Sequence, residues 1–194
     1  MKAFPELAVA IREILDRIDS SLRTGGYQGP PIILYLAGGL AVNYYCGTRY
    51  TEDFDASLSN PKIHLPSDLT VNYQRSDGTE AFIYFDRNYN PSLALLHADF
   101  EQNSREWQDI GNENRLIHLR VLAPLDLAVS KISRFSEQDR EDILALAADK
   151  YFSAKQLRDH VIDALPDYIG DKRPILTSID IIGREIDSGH HTPH

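Results

Sequence analysis

The 194-residue chain has a single cysteine, Cys46. One thiol excludes an internal disulfide framework and any multi-cysteine zinc site. Basic charge is also in short supply: 20 Lys and Arg stand against 29 Asp and Glu, a formal net charge of −9. The deficit divides about evenly on either side of Leu122, so neither part is a basic platform for a large nucleic-acid footprint. A local basic cleft stays compatible with that balance. Long apolar runs are missing too. The longest, such as residues 32–37, are strand-sized, far short of the roughly 18 residues that span a bilayer. Residues 1–17 interleave charged with apolar positions, unlike a signal peptide. No membrane association and a cytoplasmic setting are therefore expected. With 42% apolar and 25% charged residues, the composition is that of a globular protein rather than a disordered tail.

Periodicity then supplies the elements. Phe4, Leu7, Ile11, Ile14, Leu15, Ile18 and Leu22 recur at helical spacing and predict a helix over 4–23. Residues 32–37 read as a buried strand, 40–46 as a short helix stopped at Gly47, and 54–58 as a second strand. Residues 71–74 and 79–85 flank Ser76-Asp77-Gly78, a hairpin signal. Residues 93–100 alternate, with Leu95, His97 and Asp99 on one side, and predict a strand. A further strand is expected over 116–122. From Pro124 the pattern is helical. Ser136 with Asp139, and Ser153 with Gln156, mark helix starts. Pro166 closes a helix and Pro174 opens the last one. The expectation is an α/β (α+β) protein: residues 1–122 as a mixed-sheet core with an N-terminal helix, 123–188 as a helical part packed on it, and 189–194 as a frayed tail.

Three features coincide between residues 34 and 55. A buried strand ends in Gly38-Gly39 directly before a helix, where backbone amides can approach phosphates closely. Asp53 and Asp55 are spaced i, i+2 across Phe54, so on a strand both carboxylates face one side and Phe54 faces the core. Two adjacent carboxylates repel unless a divalent cation lies between them. Gly47 breaks the intervening helix, letting the chain return with Asp53 near Gly39. Separately, a DxD pair is often no more than a solvated strand face; the combination supplies the parts of a metal–triphosphate site.

On Gly38-Gly39 and Asp53-Phe54-Asp55, the segment resembles the nucleotidyltransferases of the DNA polymerase β-like superfamily. The lead-in Gly47-x-Arg49-x-Thr51-x-Asp53 resembles a bacterial branch near the toxin-type enzymes of toxin–antitoxin and abortive-infection systems. So does the block from 122 to 143, with Lys131 and Arg134 on one helix and Asp139 and Asp142 on the next. The resemblance covers about residues 32–148. It implies a mixed sheet flanked by helices and transfer of a nucleoside monophosphate from a nucleoside triphosphate to an acceptor hydroxyl. The acceptor would be RNA or tRNA, a protein or a small molecule, and a toxin would have an antitoxin partner. It implies Mg²⁺ (or Mn²⁺) held by Asp53, Asp55 and a third carboxylate on a neighbouring strand. Asp99 is the first choice there, also as general base, and Asp86, at the end of the hairpin, the second.

The implied nucleotide contacts are Gly38, Gly39, Arg49, Thr51, Lys131, Arg134 and Asp142. Each has a plainer alternative. Lys131 can instead pair with Asp139 or Asp142, Arg49 and Thr51 can brace their loop, and Asp139 can cap its helix. Asp142 can orient Lys131 or Arg134. His190, His191 and His194 read as part of the tail; among the other histidines only His97, two residues from Asp99, stands out. The competing function is a nucleotide- or protein-binding module of the same fold without turnover.

Overall fold

The computed structural model describes residues 4–189. The chain forms two compact units. One runs to Tyr89 and resumes over Ser104–Val121; the other takes Asn90–Asn103 and continues from Leu122. This differs from a single cut after residue 122, because Asn90–Asn103 clusters with the later helices. The tail expected at 189–194 lies, from residue 190, outside the described residues. Among the described residues no helix is long and apolar enough to cross a membrane.

The first unit opens with helix α1, Pro5–Thr24. Pro5 sits in its first turn, where its missing N–H costs nothing. Leu7, Ile11, Ile14, Leu15, Ile18 and Leu22 form its buried stripe, each worth roughly 1.5–3 kcal/mol of burial before entropy is set against it. Two sheets follow. In the first, β1 (Ile32–Leu36) pairs in parallel with β7 (Ile117–Val121) and antiparallel with β3 (Ala56–Leu58), and β6 (Arg105–Glu106) edges β7. In the second, β5 (Glu80–Phe85) lies between β2 (Asp53–Phe54) and β4 (Thr70–Gln74). The β4–β5 hairpin turns at Gly78, whose φ of +85° suits glycine. Between β1 and β2 lies α2, Gly38–Cys46, closed by Gly47 at φ +64°.

The single strand expected over 54–58 is two strands in two sheets. The chain leaves the β5 sheet after Phe54 and joins the β1 sheet at Ala56, so Asp55 is the crossing residue. The strand expected over 93–100 is absent. Asn90 accepts a hydrogen bond from the Ser92 amide, Pro91 opens a 3-10 turn over Pro91–Leu93, and a short helix, α3, covers Phe100–Asn103. Asp99 donates its amide to His97 Nδ1 and Phe100 donates to the His97 carbonyl. Local turn bonds thus satisfy the backbone that a ladder would have used.

The second unit also contains helices α4 (Pro124–Ile132), α5 (Glu137–Ala148), α6 (Ala154–Ala164) and α7 (Lys172–Ser188). Ser136 with Asp139 and Ser153 with Gln156 form reciprocal capping boxes, as their spacing predicts. Pro174 falls in the first turn of α7, after the cap Asp171.

Candidate active site

The acidic face lies in the first unit. In the parallel pairing of β2 with β5, Asp53 registers with Tyr84 and Phe54 with Phe85. Alternation turns Phe54, Ile83 and Phe85 into the core, where all three are buried. The same alternation sets Asp53, Asp55, Tyr84 and Asp86 on the opposite face, and all four are partly exposed. Asp86 follows the last residue of β5, and its amide donates to the Phe54 carbonyl at 3.2 Å. Three carboxylates therefore stand at the ends of two adjoining strands.

Tyr84 reports on that cluster. Its hydroxyl donates to Asp53 Oδ1. That hydrogen bond and the Asp53 charge, with smaller effects from burial, Asp86 and Asp55, push its pKa up from 10.0 to about 12. The phenol is therefore neutral at ordinary pH and keeps the proton that it donates to Asp53. Asp86 Oδ1 accepts from the Asn88 amide at 2.8 Å, which fixes the turn after β5.

Gly38 and Gly39 close the other side. Gly38 has φ +62°, and a Cβ placed on it would lie 1.9 Å from Asp55 Oδ2. Only glycine leaves room for that carboxylate against the start of α2. A Cβ on Gly39 would lie 2.7 Å from Arg49 Nη2, so the Arg49 guanidinium occupies the space beside the second glycine. The Asp55 carbonyl accepts from the Ala37 amide at 2.8 Å, tying the crossing residue to the end of β1. Thr51 Oγ1 accepts from the Asp53 amide at 3.4 Å, and the buried Asn43 donates to the Arg49 carbonyl at 2.8 Å. Both bonds brace the loop that delivers Asp53.

The other sequence candidates belong to the second unit. Asp99 is on no strand; its side chain is 64% exposed, beside His97. Lys131 is buried, with Nζ 2.7 Å from Asp142 and 3.4 Å from Asp139. Arg134 grips Asp139 through Nε and Nη2, both at 2.6 Å. Burial pushes the Asp139 carboxyl up, but the Arg134 and Ser136 hydrogen bonds and the two cationic charges outweigh it and hold the pKa at about 2. This is the pairing alternative for Lys131, and Asp142 meets Lys131 directly.

Sequence reasoning missed Tyr84. The signal was present: residues 82, 84 and 86 alternate along the second hairpin strand, so a hydroxyl and a carboxylate share a face there.

No curated protein and no solved structure matches the chain. A protein-family model described as "Nucleotidyltransferase of unknown function (DUF6036)" matches residues 14–172. With its mixed sheets, flanking helices and acidic strand ends, the chain belongs to this nucleotidyltransferase family.

Proposed function

We propose that the protein is a metal-dependent nucleotidyltransferase whose reaction is carried by Asp53, Asp55 and Asp86 on the first unit. The observation that carries this is the fit of Gly38 to Asp55: a helix start kept free of a side chain where a carboxylate lies against it. The donor set, three carboxylates on one face, is that of a hard divalent cation such as Mg²⁺ or Mn²⁺. Such an ion, when bound, neutralises triphosphate oxygens and lowers the barrier to in-line displacement at the α-phosphorus.

The chain's own residues do the rest. Tyr84 fixes Asp53 through Oδ1 and leaves Oδ2 for a cation. The amides at the start of α2 offer donors to phosphate oxygens. Arg49, packed on Gly39, adds a positive charge at that helix start. Asp86 takes the proton of the attacking acceptor hydroxyl as that oxygen bonds to the α-phosphorus and the bond to the β-phosphate oxygen breaks, releasing pyrophosphate. In this reading Asp86 replaces Asp99 as the third carboxylate, because strand register supports Asp86 and no strand carries Asp99. Lys131, Arg134 and Asp142 serve as an internal charge cluster of the helical unit rather than as triphosphate contacts. The acceptor is the hydroxyl of an RNA or tRNA end, a protein or a small molecule, and the toxin-type version adds an antitoxin partner.

The test is transfer of labelled nucleotide to cell extract in Mg²⁺. Asp53→Asn, Asp55→Asn and Asp86→Asn each lose roughly 10³-fold in rate, with melting temperatures near that of the parent. Asp99→Asn retains the parent rate. Full transfer by the Asp53 and Asp55 variants would overturn the mechanism. Loss in Asp99→Asn with retention in Asp86→Asn would reverse the choice of third carboxylate. Expression that leaves growth unaffected removes the toxin version.

A further inference from the structure

The second unit holds a cluster that the nucleotidyl-transfer reading does not use. His97 from the Asn90–Asn103 segment, Asp126 from the first turn of α4 and His160 from α6 each place one ligand atom within 4.8 Å of the others. The imidazole rings stack at 4.3 Å with planes 10° apart. His160 Nε2 lies 2.8 Å from Asp126 Oδ1, and His97 Nε2 lies 2.8 Å from Asp163 Oδ2, one turn along α6.

Asp126 is the decisive residue. It is fully buried, yet its Oδ2 has no hydrogen-bond partner among the described residues. A buried carboxylate oxygen left without a donor costs free energy unless something else satisfies it. The one donor it does have, His160, uses only Oδ1.

We infer that His97, Asp126 and His160 form a binding site for a zinc-class divalent transition metal, separate from the acidic face of the first unit. Two imidazoles and one carboxylate are a borderline nitrogen–oxygen donor set, suited to Zn²⁺ and Co²⁺ rather than to the hard Mg²⁺. Asp126 supplies its orphan lone pair. Asp163, hydrogen-bonded to His97 Nε2, holds that ring from behind, as carboxylates do around metal-bound histidines, and His97 Nδ1 then exchanges its bond from the Asp99 amide for the ion. Asp126 and Asp163 together match the 2+ charge of the ion. His160 reaches an open surface depression also lined by Leu125, Gln156 and Asp163, which gives the ion a route in.

Loading changes the proton inventory. An ionised Asp126 only accepts, so His160 Nε2 carries a proton in the ion-free form; the ion takes its place, and that proton moves to Nδ1 or to solvent. Parallel rings do not converge on one point, so at least one imidazole must turn about its Cβ–Cγ bond. The consequence of loading is a three-point staple joining the Asn90–Asn103 segment to α4 and α6.

The test uses the full chain with His190, His191 and His194 changed to Ala and Asp53 and Asp55 changed to Asn, which removes the C-terminal histidines and the Asp-x-Asp pair as competing ligands. Titration with Zn²⁺ is expected to reach one equivalent and to raise the melting temperature. Co²⁺ is expected to give visible absorption bands of a low-coordinate site. His160→Gln and Asp126→Asn each weaken binding by at least roughly 100-fold. His97→Gln, at a position with a 12% exposed side chain, keeps the test valid if the Asp126 variant fails to fold. No Zn²⁺ binding, or weak binding of several equivalents that persists in the His97 and His160 variants, overturns the site. The outcome is independent of nucleotide transfer.

Discussion

Asp139 and Asp142 in the second unit, and Asp53 in the first, meet different partners. Lys131 sits between Asp139 and Asp142, and Arg134 closes on Asp139 as a fork. Asp53 stays partly exposed and takes its bond from a neutral phenol. The first arrangement cancels charge internally and leaves little for a ligand to gain. The second keeps negative charge at the surface, held in place by a donor that adds no positive charge. A residue type therefore says less about function than the sign of what stands beside it. The lysine, the arginine and the two aspartates of the helical part pair with one another, whereas Asp53 keeps its charge on a partly exposed face.

The contrast can be broken most forcefully at Lys131. Lys131→Met strands the Asp142 carboxylate in the interior and is expected to cost about 3–5 kcal/mol in urea denaturation. Adding Asp142→Leu should recover most of that loss, since an apolar pair removes the unpaired charge. Asp53→Asn, by comparison, should move stability by less than about 0.5 kcal/mol. A small cost at Lys131 would dissolve the distinction between the units.

Gly38→Ala is next, at about 3 kcal/mol, combining the positive φ with displacement of Asp55. Gly26→Ala is its control. Gly26 has φ +70° but nothing within 4 Å of an added Cβ, so it should cost only about 1 kcal/mol. Equal melting temperatures for the two variants would mean that Asp55 moves aside freely.

Acid denaturation sharpens the same comparison. The folded-state pKa of Asp139, about 2, lies below the ordinary 3.8. The stability this gives is fully present above about pH 4 and is lost as pH falls through the folded value. The loss should be about 2 kcal/mol between roughly pH 4 and pH 2. Asp139→Asn should flatten that part of the stability curve.

The smallest effect is spectroscopic. Tyr84 should ionise near pH 12, and Asp53→Asn should bring it back toward 10.0, read as phenolate absorbance with Tyr84→Phe identifying the transition. Because its folded pKa is raised, the stability tied to this group is present below pH 10 and lost only as pH rises toward 12. An unchanged titration in Asp53→Asn would separate Tyr84 from the acidic face.

Short-range signals carried the sequence reading well. The helical stripe of α1, the Ser136 and Ser153 capping boxes and the hairpin at Gly78 all depend on residues within one turn or one strand pair of each other. The Gly38-Gly39 and Asp53-x-Asp55 motif was legible for the same reason. Longer-range facts were not. Alternation over 95–100 resembled a strand, but Asn90, Pro91 and the His97–Asp99 turn bonds claimed that backbone first. The pairing of Lys131 with Asp142 spans two helices, so spacing could offer it only as one of two alternatives. The His97, Asp126 and His160 cluster joins positions separated by up to 63 residues, and no local pattern announces it.

The crossing at Asp55 gives the site a mechanical property. Asp53 rides on one sheet, whereas the chain from Ala56 rides on another. The gap between the two motif carboxylates therefore works like the jaw of a vice whose arms are separate plates, with Asp55 as the pivot. One plate is seated by the edge-on packing of Phe54 against its register partner Phe85 at 5.5 Å, within the sheet that carries Asp53. A buried aromatic ring thus helps to set where the Asp53 carboxylate stands. Drift in that interior is answerable to chemistry as well as to folding.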